Sequence, residues 1–114
     1  MNSTQLSALV TDWTKIKVEH PAPGIKRQMV VGQNVMMVRF TFEPFFVSAE
    51  HTHPHEQMTL VIKGRVKFFV NGEERIVSAG DVLHFPPHHR HGATMLDEEV
   101  ELIDIFSPIR EDFL

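Results

Sequence analysis

From residue 25 onward, short runs of apolar and β-branched residues alternate with polar ones and are cut at regular intervals by turn signals. Residues 25–31 and 35–42 flank Gly32-Gln33-Asn34 and read as a hairpin, which Pro44 ends. Residues 58–62 form an apolar run stopped by Lys63-Gly64. Residues 66–70 and 74–77 flank Asn71-Gly72, a pair favoured in two-residue hairpins because both positions tolerate positive φ. Gly80-Asp81 makes a further turn before residues 82–85, and Pro86-Pro87 a rigid corner. Residues 91–96 and 100–106 close the set across the acidic turn Asp97-Glu98-Glu99. Seven to nine short strands with regular turns predict an all-β sandwich or jelly-roll barrel with at most a short N-terminal helix.

The first 24 residues follow another pattern. Leu6, Leu9, Val10 and Trp13 recur at helical spacing behind Ser3 or Thr4 as a cap, which predicts one short helix or an irregular arm. His20-Pro21-Ala22-Pro23-Gly24 breaks any helix there, because proline lacks an N–H and disfavours helix at the residue before it. The expected organisation is one domain, with an N-terminal arm over residues 1–24 and a barrel over residues 25–114.

Composition narrows the chemistry. The 114 residues are 42% apolar, enough for one core, and contain no cysteine. That excludes thiolate metal ligands and fits a reducing cytosol. A net charge of −4 offers no basic footprint for nucleic acid. No apolar run reaches the roughly 18 residues of a membrane span, and the polar N-terminus is unlike a signal peptide. The expectation is a soluble cytoplasmic protein without nucleic-acid or membrane partners.

Histidine placement points to the chemistry. All of the eight histidines except His20 fall in two clusters, one at His51, His53 and His55, the other at His84, His88, His89 and His91. Two separated clusters of imidazoles point to a metal site. Residues two apart in a strand face one side, so His51 and His53 aim at one point, and Gln57 shares their parity. His91, after the proline corner, is the natural ligand from elsewhere in the chain.

The string His51-x-His53-x-x-x-Gln57, followed by six residues and Gly64, resembles the first motif of the cupin family. Gly80, five residues, Pro86 and then His91 resembles the second. The resemblance implies a double-stranded β-helix, or jelly-roll barrel, around one divalent transition-metal ion (zinc, nickel, iron, manganese or copper). It also implies a homodimer, and the exposed barrel edges and apolar N-terminal arm are compatible with one. The chain departs from the family pattern at four positions. Gln57 stands for the usual metal-binding glutamate, Phe45 for a leading glycine, His88 for a glycine and Met95 for an asparagine. The glycine changes bear on loop shape, whereas Gln57 changes the electrostatics. Three neutral imidazoles and a neutral amide leave the ion its full double charge. That favours Lewis-acid chemistry on anionic substrates over oxygen activation.

In residues 100–106, alternation separates Leu102, Asp104 and Phe106 from Ile103 and Ile105. An aspartate among large apolar residues is unusual for a plain core strand. The ending from Leu102 through Asp104, Phe106, Ser107-Pro108 and Arg110 to Leu114 resembles that of one group of small cupins. These act in pectin and alginate breakdown and convert cyclic 4,5-unsaturated uronates to their linear keto form. The resemblance implies a small anionic sugar as substrate and places Asp104, Phe106 and Arg110 in turnover. Two other readings are a cupin dioxygenase or other oxidative metalloenzyme, and a non-catalytic cupin that binds a small anion. His55, Glu56, His88 and His89 are expected around the site or at its rim, and His84 near the pocket.

Overall fold

The computed structural model describes residues 8–114. Ten strands follow one another: β1 (Glu19–Ala22), β2 (Ile25–Val31), β3 (Met36–Phe42), β4 (Val47–His51) and β5 (Glu56–Lys63), then β6 (Arg65–Val70), β7 (Glu73–Ser78), β8 (Val82–Phe85), β9 (His91–Met95) and β10 (Val100–Ser107). They form two antiparallel sheets, one of six strands in the order β1-β2-β3-β10-β5-β8 and one of four in the order β4-β9-β6-β7. This is the jelly-roll architecture that the alternation predicts, and the strands it locates agree to within two residues at each end. No helix among the described residues is long and apolar enough to cross a membrane.

Side-chain parity explains the layers. Along β3, Met36, Val38, Phe40 and Phe42 are buried while the residues between them face outward. Along β10, Val100, Leu102, Asp104 and Phe106 point inward and Glu101, Ile103 and Ile105 outward, the division the sequence implies. Phe68 of β6, Phe85 of β8 and Ala93 and Met95 of β9 meet these residues from other walls to make one core.

β1 and β4 lie where the pattern predicts no strand. β1 carries Pro21 but sits at the edge of its sheet, where a missing N–H does not interrupt a ladder, and its pairing with β2 shifts register between Glu19 and Ala22. β4 is also an edge strand and is mostly exposed, so it has no apolar alternation to announce it. The helical spacing near the N-terminus produces only one 3-10 turn, Trp13–Lys15, capped by Asp12, while Leu9 and Val10 stay exposed. Ser3, Thr4 and Leu6 lie outside the described residues.

Two glycines at similar backbone angles do different things. Gly72 (φ +82°) completes the Asn71-Gly72 turn in open space. Gly64 (φ +81°) sits where an added Cβ would clash with the carbonyl oxygen of Glu99. Gly72→Ala should therefore cost about 1 kcal/mol from the left-handed backbone alone. Gly64→Ala should cost about 3 kcal/mol or more, because a clash with main chain adds to that strain. Urea unfolding of both variants tests this, and equal losses would show that the β5–β6 turn relaxes around the methyl group.

Candidate metal centre

The site lies where the two sheets meet. In the four-stranded sheet, His51 at the end of β4 is the cross-strand partner of His91 at the start of β9. His53 lies just beyond β4, in the segment that crosses to β5 and so to the six-stranded sheet. On β5, Gln57 and Thr59 point inward, and on β10 their cross-strand partners are Phe106 and Asp104. Strand register thus pairs site residues 40 to 49 positions apart.

His51, His53 and His91 each present one ring nitrogen, and these atoms lie within 4.8 Å of one another. His53 and His91 are buried and His51 stands at the exposed rim. Each ring is held by its other nitrogen, because Nδ1 donates to a main-chain carbonyl. The acceptors are Ala49 O for His51 (2.8 Å), His55 O for His53 (3.0 Å) and His89 O for His91 (2.9 Å). In a neutral imidazole this leaves Nε2 as a lone pair turned to the centre, the form a metal requires. Nε2 of His91 is buried with no hydrogen-bond partner. A buried polar atom of this kind is costly, and a cation at the centre would satisfy it.

The Gln57 side chain supplies oxygen to the same point. Its Oε1 lies 3.0 Å from Nε2 of His53. With Nδ1 of His53 already donating, two lone pairs face each other across that gap, and both become ligands when a cation lies between them. The four residues expected to bind metal therefore converge, and their donor set suits a divalent ion with nitrogen and oxygen preference.

A cavity of about 360 Å³ opens beside this cluster, lined by His51, Gln57, His91, Asp104, Phe106 and Arg110, with Arg27 and Phe113 on its far wall. The Arg110 guanidinium stacks over Phe113 (4.3 Å to the ring centroid) and Phe106 (5.1 Å), and its Nε and Nη2 pair with both oxygens of Asp112. Arg27 packs on the same Phe113 ring at 4.9 Å and bonds Glu19. Burial raises the Asp104 carboxyl to about 6, against the opposing effects of its Thr59 and Gln57 bonds and of nearby Arg110. Burial lowers the His91 imidazole to about 4 and moves His53 in the same direction, with Arg110 adding to both.

The remaining histidines act differently from one another. His55 and His89 support the site through their carbonyl oxygens, and the N–H of His88 donates to His53 O at 2.8 Å. His84 lies away from the pocket, on the outer face, bonded to Glu56 at 2.7 Å. Parity requires this, because the next residue, Phe85, faces inward opposite Gln57. Sequence reasoning missed Thr59 and Arg27. Thr59 is hidden in an apolar run but has the inward parity of Gln57, and Arg27 alternates with Ile25 and Met29 on β2.

Comparison with known proteins agrees with this geometry. The cupin domain family matches residues 38–106. The pectin degradation protein KdgF of Dickeya dadantii is 36% identical over 98 residues, which span 84% of this chain and 89% of that protein. The structure of KdgF from a Halomonas species superposes with a TM-score of 0.89 at 31% identity, covering 95% of this chain and all of that one. An RmlC-like cupin from Shewanella frigidimarina superposes with a TM-score of 0.88 at 34% identity, over 95% and 97% of the two chains.

The raised Asp104 carboxyl makes a stability prediction for the metal-free protein. A carboxylate whose folded pKa exceeds its unfolded value of 3.8 is ionised at a penalty above about pH 6 and carries none below 3.8. Asp104→Asn keeps an acceptor for Thr59 without the charge. It should stabilise the metal-free protein by about 1–3 kcal/mol at pH 8, with the gain fading as pH falls from about 6 towards 4. Thermal unfolding across that range checks both sign and window.

Proposed function

This chain belongs to the cupin family, and from that premise we propose that it is a cytoplasmic, metal-dependent enzyme on a small anionic sugar. The reaction is the opening and ketonisation of a 4,5-unsaturated uronate monosaccharide from pectin or alginate breakdown. The observation that carries the reading is that one cavity is lined by His51 and His91 of the three-imidazole cluster and also by Asp104 and Arg110. The likeness to the KdgF proteins supports the substrate class.

His51, His53, His91 and Gln57 would hold the ion, which supplies positive charge to polarise a bound oxygen. Arg110, held against the Phe106 and Phe113 rings and by Asp112, receives the uronate carboxylate. Phe106 packs against the apolar face of the sugar. Asp104, ionised above about pH 6, takes the proton of the anomeric hydroxyl. The ring C–O bond breaks as the aldehyde forms, and the proton returns to the carbon of the former double bond. The enol thereby becomes a ketone, and no outside reductant or oxidant is consumed. The neutral amide of Gln57 disfavours oxidative iron chemistry, which suits two histidines and a carboxylate.

The test is to incubate metal-analysed protein with unsaturated galacturonate and follow loss of the ring double bond by ultraviolet absorbance beside the uncatalysed reaction. Turnover above background, lost with a chelator, is expected. Asp104→Ala should abolish it with metal content intact, and Arg110→Lys should raise KM about tenfold or more through loss of a planar two-point contact. Oxygen uptake would favour the oxidative reading. Thermal stabilisation by a uronate that stays unchanged would favour a non-catalytic binder.

We further propose a homodimer through the outer face of the six-stranded sheet. There Met37, Met58, Leu60, Ile62 and Val82 are exposed, and Ile103 and Ile105 complete a contiguous apolar surface across β3, β10, β5 and β8. A patch of this kind on a small protein marks an interaction site. Sedimentation should show a dimer that Leu60→Glu converts to a folded monomer. A monomeric wild-type protein at the same concentration would defeat the proposal.

A further inference from the structure

We infer that Thr59 is a positioning residue that turns the Gln57 oxygen toward the ion. The inference rests on the metal-dependent reading above. Thr59 is 1% exposed and lies directly opposite Asp104 in the β5–β10 register. Its hydroxyl donates to Oδ1 of Asp104 at 2.6 Å, and Nε2 of Gln57 donates to its oxygen at 2.9 Å. At its other end, Gln57 Oε1 faces Nε2 of His53 at 3.0 Å.

With Asp104 ionised, these contacts have one consistent direction. A hydroxyl carries a single proton, and an ionised carboxylate can only accept. The Thr59 proton is therefore committed to Asp104, and the side of its oxygen that faces Gln57 has only lone pairs. The two ends of an amide have opposite roles, so the NH2 end must meet Thr59 and the carbonyl end must meet the imidazoles. In the reverse orientation two acceptors would oppose each other at Thr59, and an NH2 group, useless as a ligand, would face the cation. A glutamate at position 57 would need no such control, because both of its outer atoms are oxygens. The need for Thr59 is thus tied to the glutamine of this chain.

The experiment measures zinc affinity by competition with a chromophoric chelator, so it needs no substrate. Removing an outer partner of a metal ligand characteristically weakens binding 10- to 100-fold. Thr59→Val should weaken zinc at least tenfold, and Thr59→Ser should restore it. In a Gln57→Glu background the same Thr59→Val change should have little effect, whereas a merely structural threonine would weaken both backgrounds alike. In the unmutated protein, nuclear Overhauser contacts from the Gln57 side-chain amide protons to Thr59 should persist when zinc is added, a readout that does not depend on the valine variant folding. Equal zinc affinity of Thr59→Val and wild type, or absence of those contacts, overturns this inference alone. Failure of the wild-type protein to bind zinc overturns the metal reading and this inference with it.

Discussion

Three bonds from imidazole Nδ1 to main-chain carbonyls hold the centre of this molecule. Each carbonyl belongs to a residue two positions away from its histidine, so the ring orientation is set by local backbone and not by distant packing. A histidine free to choose its tautomer presents the wrong nitrogen part of the time. Here the choice is removed before any cation arrives, and ordering of the ligands is paid for during folding. That arrangement is stable only if the loops on either side are held. The two sheets do so, β4 and β9 through the His51–His91 pairing and β5 and β10 through the Gln57–Phe106 and Thr59–Asp104 pairings.

Burial creates the opposing demand. The same apolar walls that fix the rings disfavour charge, lowering His53 and His91 and raising Asp104. For the imidazoles this helps, because a neutral ring is the ligating form. For Asp104, burial raises the carboxyl to about 6, and this is the environment in which the proposed proton transfer would operate. Arg110 opposes the rise of Asp104 and adds to the lowering of the two imidazoles. Its own charge is shared with Asp112 and spread over two aromatic faces, so it stays in place beside the cluster without binding Asp104 directly.

Much of this was legible in the residue order, and the parts that were not have physical causes. Alternation locates β3 and β10 because one face of each is buried and the other is not. It fails for β4, whose residues are mostly exposed, and for β1, where Pro21 is harmless at an edge. The convergence of His51, His53, Gln57 and His91 is anticipated from parity along one strand, but it arises otherwise: His53 lies beyond β4, Gln57 is on β5 of the other sheet, and only the His51–His91 pairing is a strand register. Thr59 was hidden because Met58, Leu60 and Ile62, which face outward, are themselves apolar and make β5 read as one hydrophobic run. An apolar outer face erases the contrast on which parity reading depends. His84 misled for the related reason that its apolar neighbours suggest the core, while only the pairing partner reveals its direction.

The two lost glycines show how the loops tolerate sequence change without losing shape. Phe45 and His88 both adopt left-handed backbone, with φ of 64° and 66°, where a glycine would enter that region freely. Such residues cost about 1–2 kcal/mol each, so something must hold them there. The N–H of Phe45 donates to Leu96 O at 2.9 Å, and that of His88 to His53 O at 2.8 Å. The second bond ties the corner before His91 to the loop carrying His53, joining the two halves of the histidine cluster by main chain. A hydrogen bond of this kind is worth about 1 kcal/mol, comparable to the strain it opposes. The strained corner is therefore a brace between the two ligand-bearing segments, and its conformation is set by the need to bring His53 and His91 to the same point.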